Sequence, residues 1–267
     1  MLDRVTITGA DDSVDPSHLF ELAAEFPFVE WGLLFSLRRE ERKPRWPTLS
    51  WLDCLFDLAR GRSDTPRFSL HLCGPALIRF LEGSPTLFSG ARESVPGGLL
   101  QLCRRVQLNT HGEPTGWSQT SMAAMWRERL PMTEVICQID GGVGSSILRD
   151  LEDNSVDAFP FHDLSHGAGV LPESWPSVAD RAYVGFGGGL GPDNLEKQIR
   201  LIAEAASGAT HWIDMETRVR TRVGLEQDYL DLKKVLRCLE IARPYIGAAE
   251  PSAPLRDVAA QNSGVEA

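Results

Sequence analysis

A single closed (β/α)8 TIM barrel, α/β in class, is the fold this sequence predicts, and three observations predict it. Eight short apolar runs, rich in β-branched and aromatic residues, recur along the 267 residues, and helical patterns follow most of them. The chain is 42% hydrophobic, enough for one large core. The mark of an open doubly wound sheet, a G-x-G-x-x-G turn after the first strand, is missing, since that run ends in Thr8-Gly9-Ala10-Asp11-Asp12. Parallel neighbours need crossover connections, and closing the sheet removes its edges.

The expected strands cover residues 4–8, 29–35, 67–72, 105–108, 134–139, 158–162, 181–185 and 211–215, each followed by turn residues. Helical periodicity predicts helices over 16–25, 50–60, 75–81 and 118–129 after the first four strands. Further helices are expected over 145–152, 192–207 and 228–242, after strands five, seven and eight; the interval after strand six has no helical pattern. The charged run 38–45, R-R-E-E-R-K-P-R, and the Gly/Ser/Pro-rich stretch 81–99 read as surface loops. The barrel is expected over 1–247, with 248–267, rich in Ala, Pro, Ser and Gly, as a flexible tail.

Charge and cysteine content narrow the function. A net charge of −10 and a pI near 5.1 argue against nucleic acid or an anionic membrane as main partner. No apolar run reaches the roughly 18 residues of a membrane span, and the start M-L-D-R-V-T-I-T lacks a signal-length apolar core. Five scattered cysteines without a C-x-x-C pair indicate neither a disulfide framework nor a zinc knuckle. A reducing, cytoplasmic location is expected.

The stretch Y-V-G-F-G-G-G-L-G-P-D-N at 183–194 carries the clearest chemical signal. An apolar strand runs into glycines at 185, 187, 188, 189 and 191 and then into a helix start, where Pro192 suits a first turn. Glycines admit positive φ and let amide groups converge on an anion, and a helix N-terminus adds positive dipole. A phosphate loop is the sharp reading; a ligand-free strand-to-helix turn is the plain one. In a barrel, chemistry sits where strands end. Polar residues collect there: Thr8, His71, Gln107, Asn109, Asp140, Asp163, Ser165, His166, Asp214 and Glu216. Caps and internal hydrogen bonds are the alternative role for any one of them.

These residues in this order resemble the phosphoribosylanthranilate isomerases, members of the ribulose-phosphate-binding barrels. V-T-I-T-G at 5–9 falls where that family has K-I-C-G, R-V-Q-L-N at 105–109 is similar to its V-Q-L-H-G, and G-G-L-G-P-D-N at 188–194 is similar to its G-G-L-N-P-E-N. K-P-R-W-P-T at 43–48, F-H-D-L-S-H-G-A-G at 161–169 and I-D-M-E-T-R at 213–218 fall where the family has K-R-Y-I-S, a strand-ending L-L-D, and V-D-V-S-S-G. The resemblance implies that Asp163 is the general acid on the ring oxygen of a phosphoribosyl group, a task helped by a raised pKa. It implies that Arg45 clamps a substrate carboxylate and that Gln107 contacts substrate. Gly167, Gly169, Gly188 and Gly189, with Glu216 and Thr217, would cradle the phosphate, and Arg218 or Arg220 would offset the charge of Glu216. Asn109, Asp140 and Asp214 complete the expected substrate-binding set.

Thr8 stands where the resembling enzymes keep a cysteine base, and a hydroxyl is a far weaker base than a thiolate. His71 is the preferred substitute, as an imidazole with an ordinary pKa near 6.5; His166, Asp140 and Asp214 are the others. H-L-C-G-P at 71–75 also resembles the H-L-M of ribulose-phosphate 3-epimerases, whose histidine ligates a metal, but the H-x-D pair of those enzymes is missing from strand two. No metal and no cofactor are expected. The expectation is an isomerase- or lyase-like enzyme on a phosphorylated sugar or phosphoribosyl conjugate. Its rivals are a non-catalytic phosphosugar-binding barrel that lost the base and a modifying enzyme for a larger nucleotide. A phosphorylated small molecule is the expected partner, and a homodimer is left open.

Overall fold

A computed structural model of the chain describes residues 1–36, 44–82, 102–110, 133–139, 142–163, 165, 168–178, 180–224 and 227–247. The predicted helix 118–129, most of the loop 81–99, the tail 248–267, and Asp140, His166 and Gly167 lie outside these residues.

Period-two alternation builds the sheet. In β1 (Leu2–Thr8), Val5 and Ile7 alternate with Thr6 and Thr8, which gives the strand one apolar and one polar face. β2 (Val29–Phe35), β3 (Arg67–Leu72), β4 (Arg105–Leu108), β5 (Glu134–Gln138), β6 (Ala158–His162), β7 (Tyr183–Gly187) and β8 (Thr210–Met215) follow in order. Each pairs in parallel with the next, and β1 pairs with β8, so the sheet closes into the eight-stranded barrel expected from the sequence.

The apolar faces pack against α1 (Pro16–Glu25), α2 (Leu49–Ala59), α3 (Gly74–Leu81), α4 (Val143–Asp153), α5 (Leu195–Ala205) and α6 (Leu232–Ala242). Their N-termini explain several boundaries. Asp15 accepts from the Ser17 amide (2.9 Å) with Pro16 next in line, and Thr48 accepts from the Trp51 amide (3.3 Å). Trp31 belongs to this outer layer, where its indole N–H donates to the Leu19 carbonyl at 3.2 Å.

Polar and aromatic groups fill the interior instead. Glu30 accepts from Thr6 and Arg4, both at 3.1 Å, and lies 3.6 Å from the buried Arg105, whose guanidinium sits 4.2 Å over the Trp212 ring. Burial works against the Glu30 charge, but Arg105 and Arg4 outweigh it and hold the carboxyl below its ordinary range. Phe161 stacks on Trp212 with centroids 6.1 Å apart. The barrel axis is thereby plugged on the N-terminal side, leaving the C-terminal side for a cavity.

Four boundaries near the mouth differ from the sequence reading. The helix predicted from 228 starts at Leu232, because 227–230 pair as β10 (Gln227–Leu230) with β9 (Arg220–Val223) in an antiparallel hairpin. Asp231 then caps α6 by accepting from the Lys233 amide at 3.1 Å. The helix predicted from 192 starts at Leu195, since Pro192 to Asn194 form a turn. β5 ends at Gln138 and β7 runs to Gly187, which shifts the positions that face the mouth.

Candidate active site

The polar strand ends converge on one cavity of about 220 Å³ at the C-terminal mouth of the barrel. Thr8, His71, Gln107, Asn109, Asp163, Asp214, Glu216 and Thr217 all line it, as do Arg45, Gly169, Gly188 and Gly189. The structure thus brings together the sequence-predicted site residues it describes, Arg220 excepted. Asp140, His166 and Gly167 lie outside the described residues.

At the floor of the cavity the Thr8 hydroxyl donates to Asp214 Oδ1 at 2.8 Å, and His71 Nε2 is 3.0 Å from Ser69 Oγ. Gly32 makes this possible: a Cβ there would clash with Thr8 Oγ1 and come within 2.9 Å of His71 Nε2. Burial, only partly opposed by Glu30, pushes the His71 imidazole down to about 3. Such a shift makes His71 a weak base, unlike the ordinary imidazole expected from the sequence. Asp214 moves the other way. Burial pushes its carboxyl well above the usual range despite the bond from Thr8, and the charges of Glu216 and Asp163 add to the effect. Burial thus biases Asp214 toward its protonated form.

The rim is built from glycine backbone. Gly169, Gly188 and Gly189 have φ of 71°, 109° and 65°, which side-chain-bearing residues rarely adopt. A Cβ on Gly188 would lie 3.1 Å from Asp163 Oδ1, and one on Gly189 would collide with the Leu171 amide nitrogen. Asn194 holds this loop from behind: its amide donates to the Gly189 carbonyl at 2.9 Å and accepts from the Gly191 N–H at 3.0 Å. Asp163 is oriented by Ser165, whose N–H and hydroxyl donate to Oδ1 at 2.8 and 2.7 Å.

Cations at the mouth are arranged differently from the sequence reading. Arg45 pairs with Glu216 at 2.6 Å and donates to Thr217 Oγ1 at 3.0 Å, so the arginine expected on a substrate carboxylate is engaged within the protein. The same pair moderates Glu216, whose carboxyl is still pushed up by burial. Arg220 is not at the cavity. It is buried, donating to the Gly9 carbonyl at 2.6 Å and to Asp11 at 2.7 Å. Exposed Arg218 lines the cavity beside Gly169, to whose carbonyl its Nε donates at 3.2 Å, while Glu216 takes its ion pair from Arg45 and not from Arg218 or Arg220. Among the described residues no cluster of three or more His, Cys, Asp and Glu is placed to hold a metal.

Sequence reasoning missed Gln138, Cys73 and Trp46, which also line the cavity. Gln138 had a readable signal, the alternation Ile136, Gln138 along β5, once that strand is ended at Gln138. Cys73 follows β3 two residues after His71 and so shares its face.

No family model matches the chain, and no curated protein matches it by sequence. Solved structures do match. A phosphoribosyl anthranilate isomerase in complex with reduced 1-(o-carboxyphenylamino)-1-deoxyribulose 5-phosphate is 15% identical with a TM-score of 0.52, the match covering 91% of this chain and 100% of that one. Phosphoribosyl anthranilate isomerase from Thermotoga maritima gives 16%, 0.52, 91% and 100% for the same quantities. TrpF from Jonesia denitrificans gives 15%, 0.53, 90% and 97%. What they share with this chain is the fold. Among the described residues no helix is long and apolar enough to cross a membrane.

Proposed function

We propose that this barrel binds a phosphorylated sugar or phosphoribosyl conjugate at its C-terminal mouth and acts on it as an isomerase- or lyase-like acid/base enzyme. The observation that carries the reading is the placement of Asp163 beside the positive-φ glycine Gly188, where a Cβ would come within 3.1 Å of the Asp163 carboxyl, so that a carboxyl group and a phosphate-type rim share one small cavity. The phosphate sits against Gly169, Gly188 and Gly189 with Arg218 beside it, where backbone amides and one cation stabilise an anion. The sugar then reaches inward, between Asp163 and Asp214. Asp163 serves the ring oxygen, the role the sequence resemblance implies, and Asp214, whose carboxyl burial biases toward the protonated form, faces it from the floor of the cavity. The phosphorylated ligand in the 15%-identical isomerase structure supports this choice of compound class.

A phosphosugar-binding barrel without turnover is the second reading. It is favoured by the deep pair, because burial makes His71 a weak base and biases Asp214 away from the carboxylate form that a base needs. One assay separates the two. The enzyme reading expects turnover of phosphoribosylanthranilate or a related aldose phosphate that falls at least a hundredfold in Asp163→Asn, in line with the roughly 10²–10⁴-fold worth of a general acid. Binding of ribose 5-phosphate, weakened by salt, with no turnover of any aldose phosphate tested, supports the binding reading and removes the enzyme.

A further inference from the structure

Two buried amide oxygens in the cavity have no hydrogen-bond partner among the described residues: Gln107 Oε1 and Gln138 Oε1. Both side chains are more than nine-tenths buried and both line the cavity. Their orientation follows from backbone carbonyls. Gln138 Nε2 faces the Asp163 carbonyl at 3.4 Å, which only a donor can do, so its oxygen is turned the other way. For Gln107 the chain is longer. The Cys73 thiol donates to the His71 carbonyl at 3.8 Å, so its sulfur accepts from Asn109 Nδ2 at 3.2 Å. Asn109 Oδ1 then accepts from Gln107 Nε2 at 2.8 Å, which leaves the Gln107 oxygen as the open end. Unpaired buried acceptors are costly, about 1–3 kcal/mol each, and a ligand with matching donors removes that cost.

We infer that Gln138 and Gln107 form a two-carbonyl reader for hydroxyl groups of the bound sugar, with Gln138 the specificity-determining residue; this rests on reading the cavity as a phosphosugar site. Neutral carbonyls accept from O–H or N–H and give a deoxy carbon nothing, so the reader selects a ligand with free hydroxyls. Its position suits the task. Gly144, at the start of α4, lets that helix close on the Gln138 backbone, where a Cβ would clash with the Gln138 carbonyl. The cavity, at about 220 Å³, is below the roughly 300–1,000 Å³ of pockets for drug-sized ligands, which fits a single sugar better than a nucleotide.

The test is calorimetric binding of ribose 5-phosphate and of its 2-deoxy and 3-deoxy analogues, each with and without competing inorganic phosphate. The wild-type protein is expected to bind ribose 5-phosphate about tenfold or more tightly than at least one deoxy analogue. In Gln138→Met, a near-isostere without the carbonyl, that ratio falls toward one while competition by inorganic phosphate persists. Gln107→Met, as a second variant, is expected to lose discrimination at the other hydroxyl. Equal binding of all three sugars by wild type, or an unchanged ratio in both folded variants, overturns the reader and leaves the phosphate rim standing. Discrimination that is lost in Gln138→Met, without any competition by inorganic phosphate, supports the reader and overturns the rim. No binding of ribose 5-phosphate at millimolar concentration overturns both.

Discussion

Asp214 is a buried carboxyl at the floor of the cavity, and its raised pKa has a measurable consequence for stability. Its folded-state pKa is raised above the unfolded value, so the folded form binds a proton that the unfolded chain has released above about pH 4. Any stability it contributes is complete below the unfolded pKa and is lost as pH rises through the folded one. Asp214→Asn mimics the protonated acid and keeps an oxygen for the Thr8 hydroxyl. The variant is expected to be more stable than wild type at pH 7.5, by about 1.4 kcal/mol for each unit of the raised pKa, and equal to it below pH 4. His71 has the opposite sign. Its folded pKa is depressed to about 3, so stability is lost as pH falls below the unfolded value near 6.5. Urea titrations of wild type and Asp214→Asn at pH 4 and 7.5 check this, and a pH-independent difference would rule it out. None of this is legible in the sequence. Thr8, His71 and Asp214 announce themselves as polar strand ends, but whether each is charged depends on burial and on Glu30 and Arg105 below them.

The glycine loop after β7 and the Asn194 turn form one element, and the sequence displayed most of it. Period-two alternation and glycine punctuation are local properties, which is why β2, β3, β4 and β6 fall on the predicted residues. The hairpin β9–β10 was hidden because its pairing is set by Arg220 reaching Asp228 and Asp11, contacts that span up to 209 residues. The same limit explains Gln138: reading β5 one residue too long drew attention to Asp140 and away from the side chain that lines the cavity. Asn194 is a residue whose importance follows from geometry, since its two bonds fix both sides of the loop. Asn194→Ala is expected to cost about 1–3 kcal/mol from two lost hydrogen bonds and to weaken ribose 5-phosphate binding severalfold. Thermal unfolding and calorimetry read these separately. A loss of stability with unchanged binding would mean that the loop is not part of the binding rim.

At the scale of the whole molecule, the barrel is held at its mouth by ion pairs that cross from the end of the chain to its beginning. Arg220 in β9 is buried, bonds the Gly9 carbonyl, and pairs with Asp11 after β1 and Asp228 in β10. Asp11 in turn accepts from the Arg45 amide, and Arg45 pairs with Glu216 after β8. The mouth is therefore a ring in which the hairpin, the β1 loop and the segment before α2 fix one another and position Arg45 over the cavity. Removing the buried cation strips the buried Asp11 carboxylate of its ion-pair partner and leaves Asp228 with Arg222 and Arg45, which is far worse than losing an exposed pair. Arg220→Met is expected to destabilise by about 3–5 kcal/mol at pH 7. The loss shrinks on acidification, because the Asp228 carboxyl, held below its ordinary range against the pull of burial by Arg220, takes up a proton once that charge is gone. If the ring also orders the site, the folded variant binds ribose 5-phosphate more weakly at temperatures well below its unfolding midpoint. Urea unfolding at pH 7 and pH 4, with binding measured at 10 °C, tests both statements. A loss under 1 kcal/mol at pH 7 would show that the mouth is held by packing of the helices alone.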